Sequence, residues 1–329
     1  MRVALAGVSH WHTPFYLEPL RGLPGVEIVG VADPKLEAAR SVAAEVGCPA
    51  FADVAELCDA TKPEFVFALG RHCDMAATAR ILIERRIAFA LEKPCGLSAA
   101  EVVEIAEQAR AAHAFAAVPL VFRYGQLLDA VRATGERVRY ASFKLIAGEV
   151  SRYRDTGNDW MLARATAGGG CTLNLGVHFL DLARVLFGQV SAAAATMSNA
   201  VAGLDVEDYG VVVLRAPDGG ACLVETGYIY SAPTSSFDLH FSIRTERHHF
   251  AARDADTLEV IDAATGRREL RPMPTTNVPY YPAFTRDVLR RVQAGQRPLA
   301  GLDDMLAAFR LVEAAYGLSD AAGAQSPHA

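Results

Sequence analysis

The chain has 329 residues, of which 51% are hydrophobic and 21% are charged, and its formal net charge is −6. This length is long for one core and suits two domains of roughly 100–200 residues each. The acidic balance argues against duplex nucleic acid as a partner, because such binding normally uses a basic face. No apolar run approaches the roughly 20 residues of a membrane-spanning helix. We therefore expect a soluble protein whose partners are small molecules.

The start of the chain and its cysteines indicate the compartment. The first strand pattern begins at Arg2, which leaves no room for a secretory leader, so we expect a cytoplasmic protein. The six cysteines are scattered and form no Cys-x-x-Cys pair. This spacing favours reduced, mostly buried thiols over a zinc or redox site.

Strand and helix patterns alternate through the first third of the chain. Short apolar runs typical of strands buried on both faces cover residues 3–6, 26–32, 64–69, 87–91 and 115–118. Helical patterns cover residues 13–21, 35–46, 73–86 and 98–113, the last with Ser98 and Glu101 as a capping box. This alternation predicts a Rossmann-type, doubly wound parallel sheet with right-handed crossovers.

The pattern changes near Arg123. A helix is predicted over residues 124–133, strands over 138–147, 210–216, 221–228 and 239–244, and closing helices over 282–294 and 303–316. The last dozen residues read as a polar tail. The predicted fold class is therefore α/β, with a Rossmann domain at residues 1–121 and a C-terminal α+β domain at residues 122–329. The second domain would hold a mostly antiparallel open sheet for substrate binding and oligomerisation.

The turn after the first strand reads Gly7-Val8-Ser9-His10-Trp11-His12. A dinucleotide-binding turn normally has Gly-x-Gly-x-x-Gly, and only the first glycine is present here. Ser9 offers its amide and hydroxyl to a phosphate at the helix N-terminus, whereas His12 adds bulk where close packing is usual. By itself this turn is a weak signal for a cofactor site.

Asp33 strengthens the prediction because it ends the second strand. A carboxylate there is placed to accept hydrogen bonds from the adenosine ribose hydroxyls and to repel a 2′-phosphate, which favours NAD over NADP. The alternative is that Asp33 only caps the next helix, where Pro34 occupies the first turn. Lys35 lies nearby and could accept a phosphate, so NADP stays open as the cofactor.

The pair His10 and His12 has two readings. The residues could ligate a metal, but two ligands without a third from a nearby Cys, Asp or Glu seldom hold one. We therefore predict no metal and a polar contact of His10 or His12 with cofactor or substrate.

Two further segments carry a family resemblance. Glu92-Lys93-Pro94 follows a predicted strand, and residues 168–181 read Gly-Gly-Gly-Cys-Thr-Leu-Asn-Leu-Gly-Val-His-Phe-Leu-Asp. With these segments and their spacing, nearly the whole chain resembles the Gfo/Idh/MocA oxidoreductases, the family of glucose-fructose oxidoreductase and inositol dehydrogenase. In that family the Lys-Pro bond of the first motif is often cis.

The resemblance implies a catalytic set of Lys93, His178 and Asn174. Lys93 would sit at the carboxyl end of a parallel strand, where ligands of open α/β sheets bind, and beside a nicotinamide its pKa should fall. His178 can exchange a proton with the substrate oxygen while hydride moves to or from the cofactor. Glu92 would orient Lys93 or contact the cofactor. The alternatives are a surface lysine and a structural histidine.

The chain departs from the family pattern at two places. Many members have aspartate where this chain has Asn174, and an amide cannot stabilise an imidazolium by charge, although it can orient a ring or bind a hydroxyl. At the end of the predicted strand 64–69 the chain reads Leu69-Gly70-Arg71-His72, where the family more often has Thr-Pro-Asn. We assign Leu69, Gly70 and His72 to the cofactor site together with Gly7, Ser9, His10, His12, Asp33, Glu92 and Lys93. Arg71 faces either an anion or solvent.

The substrate site is predicted to include Lys93, Arg123, Tyr153, Trp160, Asn174 and His178, with Tyr281 as a weaker candidate. Each aromatic residue in this set has a competing interpretation as part of the core.

These residues predict an NAD(P)-dependent dehydrogenase or reductase acting on a secondary alcohol or ketone of a sugar, cyclitol or related polyol. One alternative is a non-catalytic sensor that keeps the cofactor pocket. Another is a redox-neutral, NAD-assisted lyase or glycosidase on the same fold. By analogy with the family, we expect a homodimer or homotetramer.

Overall fold

The computed structural model describes residues 1–231, 237–253, 256–274 and 276–324. Two sheets organise these residues, one parallel with six strands and one mostly antiparallel with eight. This confirms the predicted α/β fold class. No helix in the described ranges is both long enough and apolar enough to cross a membrane.

The parallel sheet is built from the first third of the chain. Its strands are β1 (Arg2–Ala6), β2 (Glu27–Ala32), β3 (Ala50–Phe51), β4 (Phe65–Ala68), β5 (Ala88–Leu91) and β6 (Ala116–Ala117), in the order β3-β2-β1-β4-β5-β6. The central strands β1 and β4 are buried along almost their whole length, as strands covered on both faces must be. The order reverses between β1 and β4, so a crevice opens at their carboxyl ends.

Five helices cover the faces of this sheet. They are α1 (Thr13–Arg21), α2 (Leu36–Val46), α3 (Val54–Thr61), α4 (Met75–Glu84) and α5 (Ala99–Ala111). The predicted capping box at α5 is present in altered form, since Ser98 accepts from the amide of Glu101 while the Glu101 carboxylate accepts from that of Leu97. Strand β3 and helix α3 were not predicted, although Asp53 caps α3 with two backbone bonds.

The second sheet follows α6 (Gln126–Arg132). Its strands are β7 (Val138–Gly148), β8 (Ser191–Ser198), β9 (Tyr209–Arg215), β10 (Ala221–Tyr230), β11 (Phe237–Thr245), β12 (His248–Arg253), β13 (Thr257–Asp262) and β14 (Arg268–Pro272). Their order is β14-β13-β12-β11-β7-β10-β9-β8, and β7 and β10 alone among these neighbours are parallel. Strands β8 and β12 to β14 are additions to the predicted set.

Between β7 and β8 the chain makes short helices and then one long one. These are α7 (Ser151–Asp155), α8 (Arg164–Ala167), a π-helical turn (Thr172–Gly176) and α9 (Val177–Phe187). Helix α9 packs on β7, where the Phe179 ring stacks on that of Phe143 with centroids 5.4 Å apart. The inner face of the second sheet is thereby closed, and the turn at the start of α9 faces the parallel sheet.

Helices α10 (Tyr281–Gln293) and α11 (Leu302–Ala324) complete the fold. Helix α10 packs on α1, and α11 contacts α5, α9 and β8, so both connect the two sheets. Helix α11 runs eight residues beyond its predicted end at residue 316, so the predicted polar tail is wrong for 318–324; residues 325–329 lie outside the described part.

Candidate active site

The candidate site lies where the carboxyl edge of the parallel sheet meets the segment between β7 and α9. Three strand ends form one wall: the turn after β1, the residues after β4 and Glu92-Lys93 after β5. Parallel sheets bind ligands at this edge, at the point where the strand order reverses. The predicted cofactor residues are therefore brought to one place by the topology.

Gly7 allows the turn after β1 to touch the end of β4. Its φ is +73°, and a Cβ built on it would lie 2.3 Å from the carbonyl oxygen of Leu69. Gly70, with φ +121°, continues the same close approach. A side chain at Gly7 would require a backbone shift, and one at Gly70 would be strained by the positive φ, so the two glycines form the kind of cradle that a dinucleotide turn needs.

Asp33 occupies the end of β2 as predicted, and its carboxylate is already bonded on both oxygens. Oδ2 accepts from the Ser9 amide at 2.7 Å and Oδ1 from the Lys35 amide at 2.7 Å. The expectation that the Ser9 amide faces a phosphate is therefore wrong for this structure, because that amide is used by Asp33. Each carboxylate oxygen keeps a second lone pair, so ribose binding at Asp33 stays a prediction.

The side chain of Lys93 is buried with 2% exposure and is fixed by Asn174. Its Nζ donates to the backbone oxygen of Asn174 at 2.9 Å and also to the side-chain oxygen of the same residue. An ammonium has three N–H donors, so one is left for a ligand. The bond between Lys93 and Pro94 is cis.

Asn174 also joins Lys93 to two tyrosines. Its Nδ2 donates to the hydroxyl oxygens of Tyr153 at 3.0 Å and Tyr228 at 2.8 Å. Since a lysine ammonium only donates, the amide oxygen must face Lys93 and the amide nitrogen must face the phenols. The phenol oxygens accept these bonds, which leaves the hydroxyl protons to be donated elsewhere.

A buried carboxylate holds the loop that delivers Asn174. Glu207 accepts from the amide of Gly170 at 2.8 Å, from that of Thr172 at 3.0 Å and from the hydroxyl of Tyr316 at 2.9 Å. A Cβ on Gly170 would lie 1.9 Å from the Glu207 carbonyl oxygen. The glycine run is thus required by close packing, and the π-helical turn that follows is a form often found at functional sites.

His178 follows one turn after Asn174, on α9. The ring is buried, its edge contacts Phe122 with ring centroids 5.6 Å apart, and neither ring nitrogen has a hydrogen-bond partner in the described part of the chain. Burial lowers the pKa of His178 well below its usual value, and the charge of Lys93 lowers it further. His178 is therefore neutral near pH 7 and keeps both nitrogens for a ligand.

Glu92, the neighbour of Lys93, belongs to a buried polar cluster. Its Oε2 accepts from the hydroxyl of Tyr16, and its Oε1 lies 3.2 Å from His12 Nδ1. The Tyr281 hydroxyl lies 3.3 Å from the same nitrogen of His12. The structure thus places His12 and Glu92 in contact behind Lys93. Tyr281 lies with them, fully buried, as a wall of the cluster.

Trp160 joins the two sides of the crevice. Its ring meets the edge of His72 at a centroid distance of 4.9 Å and lies 5.8 Å from the ring of His10. His72 Nδ1 is 2.7 Å from the carbonyl oxygen of Ala167, so this nitrogen carries the proton. Trp160, His10 and His72 therefore form a cover of rings over the strand ends, near the predicted cofactor position.

The four histidines share one electrostatic environment. Burial is the first cause that lowers the pKa of His10 and His12 well below the usual value and that of His72 to about 3. Burial also lowers the pKa of Lys93 to about 8; Glu92 opposes this shift and Arg152 adds to it. Near pH 7 the imidazoles are neutral, and the positive charge of the site resides on Lys93 and Arg152.

Arg123 does not line this site, and its prediction as a substrate residue is wrong. Its guanidinium donates to both oxygens of Asp181, to Asp304 and to the carbonyl oxygen of Leu299, with distances of 2.6–2.9 Å. Four of its N–H groups are therefore used in joining α9 to the start of α11. Asp181 of the second motif is likewise a structural residue, because it accepts two of these bonds.

Three residues at the site were missed by sequence reasoning. Arg152 on α7 lies over Tyr153, Tyr228 comes from β10, and Trp11 lies between His12 and Tyr153 with centroid distances of 4.1 Å and 6.0 Å. The only signal for Arg152 was its position beside a predicted substrate residue. Among the described residues, no group of three or more His, Cys, Asp or Glu has an arrangement that could hold a metal ion.

The residues present fit an NAD molecule. The glycine cradle, the carboxylate at the end of β2 and the N-terminus of α1 meet the needs of a dinucleotide. Buried polar atoms without partners remain for it or for the substrate, namely Trp11 Nε1, His12 Nε2 and both nitrogens of His178. Such orphaned groups are costly unless a ligand satisfies them.

Family models match both parts of the chain. Residues 1–119 match the oxidoreductase family with an NAD-binding Rossmann fold, and residues 140–249 match the GFO/IDH/MocA C-terminal domain. Fold and models together define an NAD-binding oxidoreductase. Because the two models cover more than two thirds of its length, the chain belongs to the Gfo/Idh/MocA oxidoreductase family.

Individual relatives are distant. The chain is 26% identical over 206 residues to trans-1,2-dihydrobenzene-1,2-diol dehydrogenase of Bos taurus, covering 61% of this chain and 60% of the relative. It is 28% identical over 236 residues to D-apiose dehydrogenase of Paraburkholderia graminis, covering 65% and 57%. The match thus spans about three-fifths of the length of these curated relatives.

A solved structure extends the likeness to the whole fold. An oxidoreductase from Agrobacterium radiobacter, in complex with NAD+, L-tartaric acid and magnesium, has a TM-score of 0.86 at 18% identity. The alignment covers 97% of this chain and 96% of that one. At this identity the likeness establishes a shared fold.

Proposed function

We propose that the protein is an NAD-dependent dehydrogenase or reductase that acts on a secondary alcohol or ketone of a sugar, cyclitol or related polyol. The observation that carries the proposal is that Lys93 and His178 are both buried at the site, close enough for the charge of Lys93 to lower the pKa of His178. One is a buried ammonium with a donor to spare, and the other is a buried neutral imidazole with both nitrogens unbonded. Such a pair suits the proton transfer that accompanies hydride transfer.

When bound, NAD supplies the hydride chemistry at its nicotinamide C4. The protein then has to manage one proton on the substrate oxygen. In the oxidation, the third N–H of Lys93 donates to that oxygen and stabilises its developing negative charge. His178 accepts the hydroxyl proton on its free nitrogen and returns it in the reduction. Asn174 keeps the ammonium in place by accepting its other two N–H bonds.

Asp33 supports NAD over NADP. Its buried carboxylate lies at the end of β2, where a 2′-phosphate would meet its negative charge. Lys35, the nearby cation, directs its ammonium to the Gly157 carbonyl oxygen at 3.3 Å, away from Asp33. We therefore propose NAD as the preferred cofactor.

The substrate class rests on the relatives and on the chemistry of the walls. Curated relatives are named dehydrogenases of D-apiose, a sugar, and of a dihydrobenzenediol, both of which carry neighbouring hydroxyl groups. Two tyrosine hydroxyls and an imidazole lie near Lys93 and Asn174 and offer donors and acceptors to such groups. We propose residues 1–121 as the cofactor domain, residues 122–329 as the substrate and oligomerisation domain, and a homodimer or homotetramer as the assembly.

The first test is cofactor binding. The chain has two tryptophans, Trp11 and Trp160, and both lie at the site, so the quenching of their fluorescence reports NADH directly. We expect saturable quenching by NADH and a weaker response to NADPH. A folded sample that binds neither dinucleotide would contradict the proposal.

The second test is turnover. Sugars and polyols are screened with NAD, and the absorbance of the reduced cofactor is followed. Lys93→Ala and His178→Ala should each lower the turnover about a hundredfold or more while NADH binding and the folded state are kept. Tight NADH binding with no turnover on any polyol would favour the sensor alternative. Turnover without net NADH formation would favour the redox-neutral one.

A further inference from the structure

Arg152 is a cation of the site that the proposed reaction does not use. It lies on α7, and its guanidinium carbon is 4.6 Å from the ring centroid of Tyr153 and 5.3 Å from that of Tyr228. Its Nη2 donates to the Tyr153 hydroxyl at 2.7 Å, and Tyr153 in turn contacts Asn174. The arginine is therefore connected to Lys93 through Tyr153 and Asn174.

No carboxylate of the described residues forms an ion pair with Arg152. Within the described part of the chain, the one hydrogen bond of its guanidinium is the bond to Tyr153, and its Nε is buried without an acceptor. Arg123 is a useful contrast within the same chain, because it donates four bonds, three of them to carboxylate oxygens. A half-buried guanidinium with an unsatisfied donor is an unfavourable arrangement unless a ligand supplies the acceptor.

The charges around Arg152 leave the site positive. Lys93 and Arg152 are the cations, and Arg152 acts on the pKa of both Lys93 and His12. The carboxylate that faces them is Glu92, and its oxygens already contact Tyr16 and His12. The four histidines add no negative charge. One negative charge is therefore missing on the side of the site where Arg152 lies.

We propose that Arg152 binds a carboxylate of the substrate, so that the substrate is a polyhydroxy acid, such as an uronic or aldonic acid. The planar guanidinium matches a carboxylate through two parallel hydrogen bonds, and the rings of Tyr153 and Tyr228 hold it in one orientation. Lys93 would then take the reacting hydroxyl. This inference rests on the proposed function and names its substrate class.

Arg152 contacts the second sheet, which favours the substrate over the cofactor phosphates as its ligand, although its charge also reaches His12 at the start of α1. It projects from α7 onto Tyr228 of β10, a strand of the second sheet. The phosphates of a dinucleotide belong at the turn after β1 and the N-terminus of α1. Removal of the guanidinium should therefore weaken the binding of an acid and leave the affinity for NADH unchanged.

The test is a binding experiment, so that it does not depend on turnover. The full chain is saturated with NADH and titrated by calorimetry with matched pairs that differ in one carboxylate: D-glucuronate and D-glucose, D-galacturonate and D-galactose, and D-gluconate and D-glucitol. Three proteins are compared, the wild type, Arg152→Gln and Arg154→Gln. Arg154 is the matched control because it is an exposed arginine on the same short helix.

We expect at least one acid to bind the wild type about tenfold or more tightly than the matched neutral sugar or polyol. In Arg152→Gln this preference should vanish, with NADH affinity within about twofold of the wild type. In Arg154→Gln it should be retained. If Arg152→Gln does not fold, Arg152→Lys replaces it and should retain part of the preference, since the charge stays and the planar fork is lost.

Three results would overturn the inference. The first is that no acid of the panel binds, the second is that the matched neutral sugars or polyols bind as tightly as acids, and the third is that Arg152→Gln loses NADH affinity instead of acid affinity. A failure of the dehydrogenase proposal is separate, because it appears as acid binding with the expected arginine dependence but without NAD reduction.

Discussion

Replacing Lys93 by methionine should remove a stability cost that the buried ammonium imposes at neutral pH, and this gain should shrink as the pH rises. The ammonium is buried with 2% exposure, and burial lowers its pKa from 10.5 to about 8. The unfolded chain therefore binds the proton more tightly than the folded chain does. Methionine has nearly the same length and carries no charge to desolvate.

The magnitude follows from the pKa difference. A shift of one unit corresponds to about 1.36 kcal/mol, so the fully protonated lysine costs about 3 kcal/mol of unfolding free energy at pH 7. Above the folded pKa of about 8 the folded chain loses the proton while the unfolded chain keeps it up to about 10.5. The cost thus falls to about 1 kcal/mol at about pH 10. Wild-type stability should rise relative to the variant by about 2 kcal/mol across this window.

The assay is urea unfolding of both proteins at pH 7 and at about pH 10, with the free energies extrapolated to zero denaturant. The variant also loses the contacts to Asn174. This loss adds a constant to the difference in unfolding free energy between the two proteins and leaves the pH dependence of that difference unchanged. Lys144→Met is the control, because the bond to Asp238 raises the pKa of Lys144, so its stabilisation is fully present below pH 10.5 and flat across the window. A Lys93→Met difference that stays constant within about 0.5 kcal/mol would refute the buried ammonium.

Three further substitutions test the site. Asn174→Asp places a carboxylate against Lys93 and raises the pKa of that lysine, so the alkaline limb of the turnover profile should move up by about one pH unit or more. Gly7→Ala puts a Cβ at 2.3 Å from the Leu69 oxygen, and should cost about 2 kcal/mol in urea unfolding and abolish NADH quenching. Asp33→Ala should weaken NADH about tenfold and reduce its preference over NADPH, measured by fluorescence titration; an unchanged ratio would remove Asp33 from ribose recognition.

The parallel sheet was predictable because its strands are buried on both faces. Continuous apolar runs such as residues 3–6 and 65–68 have no other common interpretation in a chain that alternates with helices. Strand β3 escaped because two residues make no pattern, and β14 because all of its residues are exposed. Both lie at the edges of their sheets, where burial does not constrain the sequence.

Only the part of the site that lies in sequence motifs could be predicted. Lys93, Asn174 and His178 were found from local runs of sequence; in the structure Lys93 is hydrogen-bonded to Asn174, and its charge lowers the pKa of His178. Arg123 and Arg152 could not be told apart in this way. Which arginine meets Asp181 and which stays unpaired is decided by how α9 and β10 approach the strand ends, and no local pattern encodes that distance.

Asn174 and Arg152 together determine the net charge of the site. An aspartate at position 174 would neutralise Lys93 and accept the hydroxyl protons of Tyr153 and Tyr228, so the site would hold as many negative as positive charges. The amide instead donates to both phenols, which frees their protons for a ligand, and it adds no negative charge beside Lys93. With Arg152 also unpaired, the site keeps an excess positive charge. A neutral Asn174 would therefore suit the acidic substrate that we propose, because the ligand would supply the carboxylate that the protein omits.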